Sequence, residues 1–334
     1  MLKDEIKKLP FQLLVLFGTL ALYLITNALF GSPDSPYNFI PPIIGLLVLA
    51  EILIFVGLEV KEGAEKYGWK HEIVDTVIAL AVAVAIWYGA SFMLNTDSPV
   101  SAVASCSMLP ELQRGDFVIV RGAQPTAYEI SMTQEELDSL NEHSIVSFDG
   151  KNISIEGSIF SYCLNERVSN RSSALCETFV NEPNKIVEKK GAFTYRYEGC
   201  PISFSDGTAA RQPCVKSVGF RGKEYYTNFS HDIIVYEPPN GDYYSFIGDI
   251  VHRAMFKIDV DGKKYYLTRG DNNPVLDIQV YDYQWGLSNH PVPEENLRGK
   301  VILRVPILGY FKLFVSGHLW EDPQCRTQLE LSHV

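Results

Sequence analysis

Hydrophobic and polar positions divide this chain of 334 residues into two regimes. The first hundred residues alternate long uncharged runs with short charged connections. Beyond Leu94 the apolar runs shorten, and β-branched and aromatic residues alternate with polar ones. Phe11–Phe30 and Thr76–Leu94 carry no charge and are apolar all round rather than on one stripe, which is the pattern of helices in lipid rather than on a soluble core. Ile40–Leu58 is as long but contains Glu51, which needs a neighbour, a protonated state or a polar cavity, with a polar contact between helices the favoured reading. The expectation is three transmembrane helices, the first an uncleaved anchor because no small-x-small exit follows it.

Loop charges orient these spans. Lys3, Lys7 and Lys8 precede the first, Gly31–Phe39 has no Lys or Arg, and Glu59–Glu72 is a loop holding Lys61, Lys66 and Lys70. The next basic residue after Leu94 is Arg114. The positive-inside rule then places the N-terminus in the cytoplasm and everything after Leu94 outside. The expected location is a cell membrane, multi-pass, with an extracytoplasmic domain.

The outer part reads as mainly β. Phe117–Val120, Ile233–Tyr236, Ile250–Ile258, Lys264–Thr268 and Lys300–Val305 are expected strands, bounded by Gly, Pro and Asp. Ser144–Gly157 reads as a hairpin around Asp149-Gly150, and Thr133–Leu140 as a short helix with a capping box from Thr133 to Glu136. Val305–Trp320 reads as the end of a strand and a membrane-skimming tail. The expected divisions are a membrane domain 1–96, a β core from 97–122 and 231–320, an α+β or β insertion 123–230, and a tail 321–334.

One hairpin has a definite expected register. A two-residue turn at Asp261-Gly262 pairs Val260 with Lys263, and counting back sets His252 opposite Asp271 on a largely apolar face. A bulge in either strand would shift that pairing by one.

Composition narrows the chemistry. Lys and Arg number 29 against 40 Asp and Glu, a net charge of −11, which argues against a nucleic-acid surface. All six cysteines follow the last expected span, as disulfides in an oxidising compartment would require. Sequence proximity favours Cys163–Cys176 and Cys200–Cys214. Asn152, Asn170 and Asn228 each begin an Asn-x-Ser triplet. No metal or cofactor constellation is visible, and the remaining histidines (His71, His143, His231, His290, His318, His333) read as solvated or core positions. The candidate nucleophile is Ser107, in Ser105-Cys106-Ser107-Met108-Leu109-Pro110, just ahead of the strand at Phe117. A serine hydroxyl needs a base, and His252 is the candidate, oriented by a carboxylate. The Ser107 backbone N–H and the Ser105 hydroxyl are candidate oxyanion donors.

These boxes, in this order, resemble the type I signal peptidases of the archaeal and endoplasmic-reticulum kind. The family's Ser-x-Ser-Met-x-Pro box matches Ser105 to Pro110, and its Gly-Asp-x-Val-x-Val strand matches Gly115 to Val120. Ile250-Val251-His252-Arg253 matches its histidine box. Thr268-Arg269-Gly270-Asp271-Asn272-Asn273 with Asp277 matches its aspartate box, and Gly299-Lys300-Val301, Val305-Pro306 and Gly309-Tyr310 match its closing segment. The match covers residues 97–122 and 231–315. Cys106 stands where the family usually has Gly, Arg269 where it has Lys, and Ala254 where it has Val. Cys106 would pair with Cys325 or crowd the oxyanion site.

The resemblance implies a signal-peptidase-like β core and a serine endopeptidase of Ser-His-Asp type. Ser107 would be the nucleophile, His252 the base, Asp277 the residue orienting His252, and Asp271 a supporting carboxylate. The box alignment favours Asp277 beside His252 and the hairpin count favours Asp271, with Asp277 ranked first. The implied activity is removal of signal peptides from exported precursor proteins after small residues at the −1 and −3 positions. Implied partners are those precursors, the lipid bilayer and the protein-export channel, with no cofactor. The alternative is a catalytically inactive extracellular binding domain of the same fold on a membrane anchor.

Overall fold

The apolar runs of the first region fold into helices α1 (Phe11–Phe30), α2 (Ile40–Tyr67) and α3 (Trp69–Leu94) in a computed structural model that describes residues 11–30, 37, 40–141, 143–204, 206–320 and 325–329. By contact the chain divides into two units, Met1–Gly89 and Ala90–Val334. In the first, α1 packs against α2, and the Thr19 hydroxyl donates to Glu51 Oε2 at 2.5 Å. The isolated charge in the apolar run thus meets a polar group of the neighbouring helix. No residue of α3 is buried. Among the described residues, Ile43–Tyr67 and Trp69–Leu94 are long and apolar enough to cross a membrane, while the apolar stretch within α1, Leu13–Thr26, is shorter than a span. The expected charged loop Glu59–Glu72 is largely helical. Gly68, at φ +87°, closes α2 with its N–H on the Ala64 carbonyl, and α3 starts at once. Lys3, Lys7, Lys8 and most of Gly31–Phe39, on which the expected orientation rests, lie outside the described residues.

The second unit is built on two mainly antiparallel sheets. Its strands are β1 (Val100–Ala102), β2 (Phe117–Arg121), β3 (Tyr128–Ser131), β4 (Ser144–Phe148), β5 (Lys151–Ile155), β6 (Val187–Lys190), β7 (Phe193–Phe204), β8 (Ala209–Phe220) and β9 (Lys223–Tyr226). They continue as β10 (Ile233–Tyr236), β11 (Ile250–Val260), β12 (Lys263–Arg269), β13 (Tyr281–Asp282), β14 (Leu287–Ser288), β15 (Val292–Pro293), β16 (Leu297–Val305) and β17 (Thr327–Leu329). Among the described residues the first sheet runs β1-β2-β16-β10-β11-β12-β15. The long β11 carries β10 along its first half and β3, in parallel, along its second. The second sheet runs β5-β4-β6-β7-β8-β9, with β17 beside the end of β7. Residues 123–230, read from sequence as an insertion, therefore give one strand to the first sheet and form nearly all of the second.

Short helices fill the connections: α4 (Gln134–Asp138), α5 (Ile159–Val168), α6 (Ala174–Asn181) and α7 (Gly309–Val315). Thr133 and Glu136 close the capping box on α4, and Ser158 and Ser173 cap α5 and α6. α7 and a turn at His318–Trp320 occupy most of the segment expected as a membrane-skimming tail, with Ile307, Leu308 and Phe311 exposed. Three disulfides form. Cys163–Cys176 ties α5 to α6, Cys200–Cys214 joins β7 to β8, and Cys106–Cys325 links the Ser105–Pro110 box to the C-terminal segment.

The two sheets share one core. Phe256, Ile258 and Leu267 of the first pack with Val146, Phe193, Tyr197 and Val218 of the second. Phe256 is the junction: its ring centroid lies 5.3 Å from that of Phe193 and 5.2 Å from that of Tyr225. Phe256→Ala should therefore cost about 3–5 kcal/mol, as deletion of a fully buried aromatic does. The check is a urea unfolding curve of the detergent-solubilised protein, with a lower midpoint and an unchanged slope expected.

Candidate active site

The β11–β12 hairpin decides which carboxylate meets His252. Its turn is as expected, with Asp261 and Gly262 at positive φ and Val260 opposite Lys263. The counted register holds as far as Phe256↔Leu267. A bulge between Ala254 and Phe256 then slips it by one, so that Ala254 faces Thr268 and Arg253 faces Arg269. The expected opposition of His252 and Asp271 is lost.

Asp271 instead makes a bidentate pair with Arg253, at 2.8 Å from Nε and 2.6 Å from Nη2. Both side chains are buried, and Arg253 also donates to the carbonyls of Phe229 and His231. Each nitrogen of the buried guanidinium and each oxygen of the buried carboxylate thus has a partner, which is the condition for tolerating such a pair.

His252 meets Asp277. Its Nδ1 lies 2.6 Å from Asp277 Oδ2, and both residues are 4% exposed. Asp277 opens a tight turn, Asp277–Gln279, after the end of β12. Its Oδ2 also faces the hydroxyls of Thr268, at 2.5 Å, and Tyr236, at 3.1 Å. Burial, with the negative charge of Asp277, pushes the Tyr236 phenol far above its ordinary range, so it keeps its proton and donates. Asn289 donates to the Asp277 carbonyl at 2.9 Å and accepts from the Tyr244 N–H at 3.0 Å. The Tyr244 ring stands edge-on to the His252 imidazole. None of Tyr236, Thr268, Tyr244 and Asn289 was singled out from sequence. Tyr236 and Thr268 do end the two expected strands that flank β11, which was the available signal.

On its other side, His252 Nε2 lies 3.0 Å from Ser107 Oγ. Ser107 is held in a loop whose apolar residues, Met108 and Leu112, are buried with Val103, Val118, Val120 and Val235. Its carbonyl accepts the Asn272 N–H at 2.7 Å. Gly270 permits that approach, because a Cβ there would strike the Ser107 carbonyl oxygen. The Asn272 side chain extends the clamp, donating to the carbonyls of Cys106 and Thr327 and accepting from the Leu329 N–H. The Cys106 sulfur is bonded to that of Cys325, and Ser105 Oγ sits 3.2 Å from Ser107 Oγ. Ser105, Ser107, His252 and Asp277 are thus gathered, and Asp271 stands apart on Arg253. Arg269 is fully buried, which lowers its pKa to about 10, and its Nε donates to the Asn273 carbonyl, shaping the loop between Asp271 and Asp277.

This geometry has a definite chemical capacity. Nδ1–H donating to a carboxylate leaves the Nε2 lone pair directed at the serine hydroxyl, an arrangement able to withdraw the hydroxyl proton and to stabilise the imidazolium that results. As for metals, Glu198 lies close to the sulfurs of Cys200 and Cys214, but these are bonded to each other and are not thiolate ligands. His290 pairs with Asp242 and His231 with the Ala254 carbonyl, and His333 lies outside the described residues.

No family model matches the chain. Among curated proteins it is similar to the signal peptidase complex catalytic subunit of Sclerotinia sclerotiorum, 31% identical over 93 residues. That stretch is 27% of this chain and 46% of the relative. The subunit of Pyricularia oryzae is 30% identical over the same shares, and that of Metarhizium robertsii is 35% identical over 75 residues, 21% of this chain and 39% of the relative. The chain spans less than half the length of these relatives. The similarity supports kinship with signal peptidase catalytic subunits.

The Arg253–Asp271 pair has a separable consequence. Asp271→Ala leaves a buried guanidinium without its counter-ion and should destabilise the protein by about 3–5 kcal/mol. Thermal unfolding followed by circular dichroism measures this, and an unchanged midpoint would show the pair to be energetically idle.

Proposed function

We propose that this protein is a membrane-anchored serine endopeptidase that removes signal peptides from exported precursors. The observation that carries the reading is the line of two hydrogen bonds from Ser107 through His252 to Asp277. The similarity to signal peptidase catalytic subunits supports the choice of substrate.

The steps follow from the atoms. Ser107 Oγ attacks the carbonyl carbon of the scissile peptide bond as its proton passes to His252 Nε2. The oxygen that gains negative charge takes hydrogen bonds from the Ser107 N–H and the Ser105 hydroxyl. Collapse breaks the C–N bond, and the imidazolium returns its proton to the departing amine. Water, deprotonated by the same imidazole, then releases the acyl group from Ser107. Asp277 keeps the imidazole in the tautomer that these transfers need, while Asp271 acts only on Arg253. Small residues at −1 and −3 complete the proposed specificity.

Three apolar segments serve as the anchor in this reading, with the N-terminus cytoplasmic and the β unit outside. The bilayer and the export channel are its surroundings, and no cofactor takes part. Residues 97–122 and 231–320 form the catalytic core, residues 123–230 its insertion.

Ser107→Ala and His252→Ala should each slow cleavage of a precursor bearing an Ala-x-Ala site by at least about a thousandfold, with unfolding midpoints unchanged. Asp277→Asn should cost at least about a hundredfold, because the imidazole loses its orienting carboxylate. Gel-resolved cleavage by the detergent-solubilised protein measures all three. Equal processing by wild type and Ser107→Ala would reject the mechanism, and no cleavage by wild type would favour the inactive binding domain.

A further inference from the structure

The second sheet takes no part in the proton path proposed above, yet its buried polar groups converge on the turn that carries Asp277. Glu188, on β6, is fully buried. One carboxylate oxygen accepts from the Ser144 hydroxyl at 2.7 Å, and the other from the Tyr197 hydroxyl and the Ile159 N–H. Tyr197, on β7, is also fully buried, and its oxygen in turn accepts from Gln279 Nε2 at 2.8 Å. Gln279 Oε1 accepts from the Leu276 N–H at 3.1 Å. The polar chain thus runs from the middle of the second sheet to the residue just before Asp277.

Its direction is set at the Leu276 end, where a backbone N–H can only donate and so takes Gln279 Oε1, leaving Nε2 for Tyr197. Burial, together with the Glu188 carboxyl, pushes the Tyr197 phenol far above its usual range, so the phenol keeps its proton. That single proton goes to Glu188, and the phenol oxygen can then only accept from Gln279. The Gln279 amide is thereby fixed with its nitrogen toward Tyr197 and its oxygen toward Leu276. An apolar residue in place of any member would leave a buried donor or acceptor unmatched.

Further grips come from the same side. The hydroxyls of Ser158 and Ser161, at the start of α5, donate to the Gln279 carbonyl at 2.5 and 3.2 Å. Ser161 Oγ accepts the Tyr281 N–H at 3.0 Å, and the Val215 N–H of β8 donates to the Pro274 carbonyl at 2.8 Å. The backbone on either side of Asp277 is therefore held by β7, β8 and α5.

We propose that Tyr197 and Gln279, seated on the buried Glu188, are positioning residues that set the Asp277 carboxylate against His252, and that the second sheet is the mount for this carboxylate. The proposal rests on the reading of Ser107, His252 and Asp277 as the proton relay. It assigns residues 123–230 a part in the rate of the chemical step rather than in substrate affinity. A displaced Asp277 leaves the nucleophile and the substrate surface as they are and misorients only the imidazole.

The test is a double-mutant cycle in the full-length detergent-solubilised protein, with the Ala-x-Ala precursor as substrate. Tyr197→Phe should lower kcat about tenfold, as small misplacements of reacting groups do, with KM unchanged within about twofold. In the Asp277→Asn background, Tyr197→Phe should cause no further loss, because its effect passes through the carboxylate that is already gone. Ser161→Ala, which removes one of the two hydroxyl grips on the Gln279 carbonyl, should act in the same direction by a smaller factor and show the same non-additivity. It decides the matter if Tyr197→Phe unfolds.

Full activity of the folded Tyr197→Phe protein beside a slow Asp277→Asn overturns the positioning role and leaves the relay standing. So does a loss that persists undiminished in the Asp277→Asn background, or one that falls on KM alone. Wild-type speed of Asp277→Asn overturns the relay itself, and with it this proposal.

Discussion

A buried carboxylate beside a buried imidazole is costly unless its lone pairs are taken up, because desolvation of the charge outweighs a single ion pair. Asp277 meets that condition on Oδ2 alone, which takes His252 Nδ1, the Thr268 hydroxyl and the Tyr236 hydroxyl, while its Oδ1 is buried with no hydrogen-bond partner among the described residues. Each of the three groups comes from a strand of the first sheet, His252 from β11, Thr268 from β12 and Tyr236 from β10. The order of strands is thus tied to the needs of one oxygen atom. A sheet with β10, β11 and β12 in any other arrangement would leave the carboxylate short of donors.

The second carboxylate of the region is kept away from this centre by an equally strict pairing. Asp271 is buried in the loop that leads from the end of β12 to Asp277, and two adjacent buried acids would repel. The bidentate Arg253 neutralises one of them and leaves the imidazole to the other. Arg253 and His252 are neighbours in sequence on a strand, so their side chains leave opposite faces. The bulge at Met255 lets Asp271 follow the arginine face.

Around these pairs, polar side chains hold the loops that carry the site. Asn272 clamps the Ser107 loop to the C-terminal strand, and Gln279 ties the Asp277 turn to the second sheet. Both loops are irregular backbone whose amides would otherwise go unpaired in the interior. The cystine at Cys106 is part of the same device. It commits the sulfur of the residue before Ser107 to Cys325, one of the two outcomes that the resemblance alone left open.

Strands β2, β10, β11, β12 and β16, the β4–β5 hairpin, the Asp261-Gly262 turn, the capping box at Thr133 and the two short-range disulfides were legible in the sequence because each depends on residues close along the chain, whereas the long strands β7 and β8 were not read. The helical continuation through Lys61 and Lys66 was not, since a charge-based reading treats any polar stretch between apolar runs as a loop. Nor was the register at His252, because a bulge is fixed by packing on both faces of β11 rather than by the turn that begins the hairpin. Choice of carboxylate therefore passed from the local count to the tertiary structure. The supporting groups Asn289, Tyr197 and Glu188 had no sequence signal of their own, and Tyr236 and Thr268 only their places at strand ends: a hydrogen bond across 9 to 82 positions is a property of the folded chain. By itself the sequence determined which residues could carry the chemistry. Only the fold decided which of them touch, since contact depends on sheet order, a one-residue slip and the buried groups that must be satisfied together.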